Sequence, residues 1–225
     1  MPAITWAILA RVFADSRMSE AERGAGGRLH ARHYQLALST SNYLYLQGRN
    51  EVLRGLGLFD LERANIEAGQ GWAAERADSD EAGAELCITY PDSGIDLLNL
   101  RQHPHELIRW LEAMLTAAQK LKRRDAAGRA LGNLGGAYAA LGETRRAIEF
   151  YEQAFQIARE TGDRRREGSA LLHMALALDQ LEDQAQAIVY AEAALAIYAQ
   201  IESPLAEMVR TTLAEWKAGD RVDQR

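Results

Sequence analysis

The stretch Gly128-Arg129-Ala130-Leu131-Gly132-Asn133-Leu134-Gly135-Gly136-Ala137-Tyr138-Ala139-Ala140-Leu141-Gly142 returns forty residues later as Gly168-Ser169-Ala170-Leu171-Leu172-His173-Met174-Ala175-Leu176-Ala177-Leu178-Asp179-Gln180-Leu181-Glu182. The identities at this shift (Gly128/Gly168, Ala130/Ala170, Leu131/Leu171, Ala137/Ala177, Leu141/Leu181) continue downstream with Ala147/Ala187, Ile148/Ile188, Glu152/Glu192, Ala154/Ala194 and Ile157/Ile197. They are mostly small or apolar and recur at helical spacing, with small residues on small and large on large. A repeat of this kind decides the fold, because each copy is one supersecondary unit that must stack on its neighbours to bury its apolar face.

Each copy divides into two helices. Ala130, Leu131, Leu134, Ala137, Tyr138 and Leu141 form one apolar stripe. Gly142 then accepts the left-handed conformation that ends a helix. A second stripe runs through Ala147, Ile148, Tyr151, Ala154, Phe155 and Ala158 to Thr161-Gly162-Asp163. The second copy repeats this from Ala170 to Leu181 and from Ala187 to Ile201, turning at Glu182-Asp183. Ser203-Pro204, an N-cap followed by proline, opens one further amphipathic helix with Leu205, Met208, Val209, Leu213 and Trp216, which caps the array. A polar tail, residues 219–225, follows.

Upstream, the shift carries back weakly: Leu107 to Glu112 lies where Ala147 to Glu152 lies in the next copy. A helix over Pro104 to Lys122 is expected, with proline in its first turn. Ser79 to Arg101 is a helix or a broken pair, interrupted near Pro91-Asp92-Ser93-Gly94. Glu20 to Gln47 and Asn50 to Arg76 have helical periodicity, with Gly48 between. Residues 2–16 carry Ile4, Trp6, Ile8, Leu9, Val12 and Phe13, an apolar helix expected to find a partner chain or else to fold back on the Glu20–Arg76 helices. The expected organisation is therefore an apolar N-terminal helix (1–19), a helical linker or degenerate repeat (20–103), a repeat array with a capping helix (104–217) and a tail (218–225). The fold class is all-α, an α-α superhelix of about nine to ten helices.

The order Leu131-Gly132-Asn133-Leu134-Gly135-Gly136-Ala137-Tyr138, Leu141-Gly142, Ala147, Tyr151, Ala154 resembles the tetratricopeptide repeat (TPR) consensus, with Leu131 where tryptophan is common. A forty-residue length resembles the kinesin-light-chain-like variant. The second copy departs from the consensus at Met174, Ala175, Leu178, Glu182 and Ala191. Gly57 to Ile66 with Trp72 resembles the linker that opens the TPR array in bacterial STAND-type, NB-ARC-like ATPases. Leu100 to Pro104 and Arg109 to Glu112 resemble the degenerate first repeat of such proteins. No Gly-x-x-x-x-Gly-Lys-Ser/Thr loop occurs in the sequence, so the resemblance is to the sensor half and implies no ATPase chemistry.

Composition agrees. The 225 residues carry a net charge of −6 with basic and acidic residues interspersed, which provides no stripe for nucleic acid. The run Lys120, Lys122, Arg123, Arg124 is expected at a solvated helix C-terminus. The single Cys87 excludes an internal disulfide, and no run is long and apolar enough for a bilayer. A cytoplasmic location is expected, without a membrane partner.

Chemistry is sparse. Gly24-Ala25-Gly26-Gly27 and Gly132 to Gly136 follow no strand; the first is expected to be a flexible linker and the second helix-packing glycine. His30/His33 and His103/His105 lack the further ligands of a zinc set. Glu20/Glu22 and Asp78/Asp80 suit capping. No catalytic residues, metal or cofactor are expected.

The TPR resemblance implies that first helices line a concave groove. By register its candidates are Arg129, Gly132, Asn133 and Gly136, then Ser169, Leu172, His173, Leu176 and Gln180, with Asn133 able to bond a peptide backbone or else merely solvated. His173 stands in the place of Asn133 in the second copy. The expected function is a non-enzymatic adaptor or sensor that binds protein or peptide in a bacterial signalling system. The alternative is a self-assembling scaffold, with a homo-oligomer formed through the N-terminal helix.

Overall fold

The computed structural model describes residues 19–223, with side chains to 218. The expected N-terminal helix lies outside the described residues. Among them the chain is all-α: α1 (Glu20–Leu46), α2 (Asn50–Arg76), α3 (Glu81–Arg101), α4 (Pro104–Lys120), α5 (Arg124–Ala140), α6 (Thr144–Thr161), α7 (Arg164–Gln180), α8 (Gln184–Gln200) and α9 (Leu205–Asp223). The helices group into two compact units that divide between Leu97 and Leu98, inside α3.

In the first unit α1 begins with a capping box. The Ser19 hydroxyl accepts from the Glu22 amide while the Glu22 carboxylate accepts from the Ser19 amide at 2.8 Å. Gly24 to Gly27 is not a linker, as the glycines alone suggested; it lies within α1. Gly27 is a packing residue, since a Cβ there would overlap the indole of Trp72 on α2. At the other end of the hairpin a Cβ on Gly55 would lie 2.5 Å from the Ser41 carbonyl oxygen, so the two backbones approach closely. The expected break in α3 is a kink at Gly94, three residues after the buried Pro91. The buried Asn42 holds the residues just past the kink: its Oδ1 accepts from the Leu97 amide at 3.0 Å, and its Nδ2 donates to Asp96 at 3.1 Å.

The second unit stacks α4 to α9 as successive antiparallel neighbours, and its turns keep a strict cadence. Left-handed residues occur at Lys122, Gly142, Gly162, Glu182 and Glu202, one every twenty residues. The residue after each donates its amide five positions back: Arg123 to Ala118 (2.8 Å), Glu143 to Tyr138 (3.0 Å), Asp163 to Ala158 (2.9 Å), Asp183 to Leu178 (3.0 Å), Ser203 to Tyr198 (2.9 Å). This is the Schellman closure, which satisfies carbonyls that a helix end would otherwise orphan. The forty-residue repeat is thus two twenty-residue half-units. The basic run ends one helix and opens the next: Lys120 closes α4 as expected, whereas Arg124 opens α5 and pairs with Glu160 on α6. Its counterpart one repeat on, Arg164, donates to Gln200 at 3.0 Å. The helix α9 continues through Asp223, where a polar tail was expected.

Helix pairing rests on small residues at crossings. A Cβ on Gly128 would lie 2.9 Å from Ile157 Cγ2, and one on Gly168 would lie 3.0 Å from Tyr198 Cε1. Ala147 and Ala187 are fully buried at equivalent places. Leu131, Leu134, Ala137 and Tyr138 of α5 are buried, as their apolar stripe required.

Candidate functional site

The candidate residues lie on one face of α5 and α7, beside their buried stripes. Arg129 is half-buried and pairs with Asp125 one turn earlier at 3.1 Å. Asn133 is half-buried, and Gly136 is exposed. On α7, Ser169 is half-buried, His173 and Gln180 are exposed, and Leu176 is 40% exposed. Leu172 departs from the expectation: at 6% exposure it belongs to the core, because its place on the helix turns it inward.

One side chain from outside the candidate set joins the two helices. Tyr151 of α6 is only 4% exposed. Its ring occupies the space left by Gly135, where a Cβ would lie 2.6 Å from its Cδ1. It stacks on the His173 imidazole with centroids 5.1 Å apart and planes at 16°. Its hydroxyl lies 3.9 Å from where a Cβ on Gly136 would be. Desolvation pushes the Tyr151 phenol up to about 12. The same kind of cover lowers the His173 pKa below its ordinary value, against a smaller opposing contribution from a hydrogen bond to Ser169. The exposed edge of His173 therefore sits in the face as a neutral ring near pH 7. The sequence places Tyr151 in the apolar stripe; the pairing of Gly135 with Tyr151 against Ala175 with Ala191 is the signal of its special position.

The other histidines have local explanations. His30 and His33 pack edge-on against Tyr34 at 4.6 and 4.8 Å. His103 caps α4 by accepting from the His105 amide at 3.4 Å. Asp80 accepts from the Ala82 amide at 3.0 Å and pairs with Arg28 at 2.8 Å. Cys87 is buried, and its thiol is pushed up to about 11 by desolvation. Clefts among the described residues include about 430 Å³ between α1 and α3, about 380 Å³ between α6 and α8 over Met174, and about 210 Å³ where Asp125 and Gly128 of α5, Ile157 of α6 and Arg166 of α7 meet. None of these three clefts is lined by Arg129, Asn133, Gly136 or His173.

Helices that pair in twenty-residue steps, with Gly135, Ala147 and Ala154 at the close contacts, match a known pattern: residues 96–160 and 126–200 fit the model of the tetratricopeptide repeat family. Residues 96–200 carry tetratricopeptide repeats. No curated protein matches the sequence. Among solved structures the chain is similar to the apo form of RapI, with TM-score 0.60 and 12% identity over 97% of this chain and 66% of that one. It is similar to nearly identical TPR-like repeats of a Podosopora anserina kinesin light chain, with TM-score 0.53 and 18% identity over 92% and 91%. It is also similar to a STAND protein with a tetratricopeptide repeat sensor from Pyrococcus horikoshii, with TM-score 0.50 and 16% identity over 84% of this chain and 26% of that one. The chain thus spans less than two thirds of RapI and about a quarter of the STAND protein. At these identities the likeness is one of fold. TPR arrays are protein-interaction modules, typically non-catalytic. No helix among the described residues is long and apolar enough to cross a membrane.

Proposed function

We propose that the chain is a non-enzymatic adaptor or sensor whose TPR array binds an extended peptide, or a peptide-like segment of a protein, on the α5–α7 face. The carrying observation is the state of Asn133. It is half-buried on this face, and its amide has no hydrogen-bond partner among the described residues. A planar amide with both donors and acceptor available can bridge the N–H and C=O of a peptide backbone. Around it, Arg129 supplies a cation and His173 a flat ring, while Gln180 supplies a second free amide further along α7. Leu176 adds an apolar contact.

The likeness of fold to a STAND protein's repeat sensor supports a place in a signalling system, with the array as its ligand-sensing part and the first unit as its linker. A cytoplasmic setting suits the buried free thiol of Cys87.

The test begins with twelve-residue peptides selected from a displayed random library against the wild-type protein. Their affinities are then measured against a variant with Arg129, Asn133 and His173 all changed to alanine. Binding should fall at least tenfold while the far-ultraviolet circular dichroism stays the same. Selected peptides that bind the triple variant as tightly as the parent would remove the α5–α7 face from consideration.

A further inference from the structure

The helical glycines of this unit fall into two groups. Gly128, Gly135 and Gly168 are required by packing, since a Cβ at each would press on a neighbouring side chain. Gly132 and Gly136 are different. A Cβ on Gly132 would meet nothing within 4 Å, and one on Gly136 would meet only the Tyr151 hydroxyl at 3.9 Å, an ordinary contact. Glycine inside a helix is less favourable than alanine by about 1 kcal/mol. These two residues, one turn apart on the candidate face, therefore weaken α5 with no packing reason among the described residues. Such local inconsistency marks places where function competes with stability.

A second observation stands beside this bare strip. Buried tyrosine hydroxyls find partners as a rule. Tyr90 donates to the Ala31 carbonyl at 2.7 Å, Tyr138 engages the Glu112 side chain, and Tyr198 engages the Ser169 side chain. Tyr151 has its ring buried, at 4% exposure for the residue, while its hydroxyl has no hydrogen-bond partner among the described residues and is not one of the enclosed polar atoms. Its hydroxyl reaches the surface at Gly136, where a larger side chain would cover it.

Resting on the peptide-binding reading above, we propose that Gly132 and Gly136 form a track on which the ligand backbone lies directly against α5, with the Tyr151 hydroxyl and the Asn133 amide as paired hydrogen-bonding groups at its edge. The ligand is an extended peptide with a small residue (glycine, alanine or serine) facing the track. Beyond it an apolar residue meets Leu176, which stands where the second repeat replaces Gly136. The track is a specificity device, because only a short side chain lets a backbone come close enough to reach a hydroxyl that sits behind the helix.

The test uses peptides selected from the random library against the wild-type protein, with Gly132→Ala, Gly136→Ala and Tyr151→Phe made singly. Each alanine variant should melt about 2–4 °C higher than the parent, by helix propensity alone. Both should bind the selected peptides at least tenfold more weakly, and Gly136→Ala more so than Gly132→Ala. Tyr151→Phe keeps the ring and its stack on His173, so it should lose about fivefold in affinity with the melting temperature unchanged or raised. The selected peptides should share one position confined to small residues. Full affinity in Gly136→Ala and Tyr151→Phe would overturn the track. If the Arg129, Asn133 and His173 triple variant lost binding in the same experiment, the face itself would stand. Peptides indifferent to every one of these substitutions would remove both readings.

Discussion

The two complete repeats, α5–α6 and α7–α8, solve one packing problem with different distributions of bulk. In the first, Gly135 leaves room that Tyr151 fills from the opposite helix. In the second, the same positions are Ala175 and Ala191, both fully buried. A further aromatic has moved along the hairpin: Tyr198 stands where the first repeat has Ala158, and it rests on Gly168. The lesson is that equivalent helix crossings can be filled from different positions along the hairpin. The first repeat gains a phenol that opens onto the α5–α7 face, whereas the second keeps its phenol engaged with Ser169.

The comparison breaks most readily at the aromatic itself. Tyr151→Ala should destabilise the fold by about 3–5 kcal/mol, since it empties a buried ring-sized volume. Ala191→Gly at the equivalent place removes one methyl and should cost about 1 kcal/mol. Equal effects in denaturant melts would show that the two copies do not pack as described. A smaller loss of about 1–3 kcal/mol is expected for Gly135→Ala, whose Cβ presses on the Tyr151 ring. Larger residues there, such as Gly135→Leu, should cost more, and Ala147→Phe should match Ala187→Phe because both sites are fully buried.

The combination sharpens the contrast. Gly135→Ala with Tyr151→Ala rebuilds the Ala/Ala pair of the second repeat. It should cost less than the sum of the single changes, by about 1 kcal/mol or more, as residues in contact do. Strict additivity in the double-mutant cycle would place the two side chains apart.

The smallest effects belong to the turns. Glu182 adopts φ 61 where the first repeat has Gly142 at φ 77. Glu182→Gly should stabilise the chain by about 1 kcal/mol by relieving a left-handed side-chain residue. Gly142→Ala should destabilise it by a similar amount. A melt in which the two changes had the same sign would contradict the shared turn geometry.

The helices and turns of the array were legible in the sequence because periodic apolar residues and glycine stops are local signals. The forty-residue shift places Ala147 on Ala187 whatever surrounds them. Gly24 to Gly27 reads as a linker because four residues rich in glycine have no helical signal of their own. Their helix is imposed by the capping box at Ser19 and by Trp72, some 45 residues away in sequence. Leu172 was placed on the face by register, but a helix seam is wide enough to draw in a leucine at its margin. The candidate face was legible as a set of positions on α5 and α7. Tyr151 escaped because a buried aromatic in an apolar stripe declares its ring and says nothing about where its hydroxyl emerges.

The twenty-residue cadence of the turns has a consequence for how such a chain can change length. Every helix and its turn is one interchangeable tile, closed by the same amide-to-carbonyl bond across each corner. Adding or deleting one tile would leave each corner intact and yet exchange inner helices for outer ones in all that follows. Two tiles together restore the order. The array therefore has a reading frame, as a coding sequence does, and only insertions of whole forty-residue pairs keep the face downstream of them in phase.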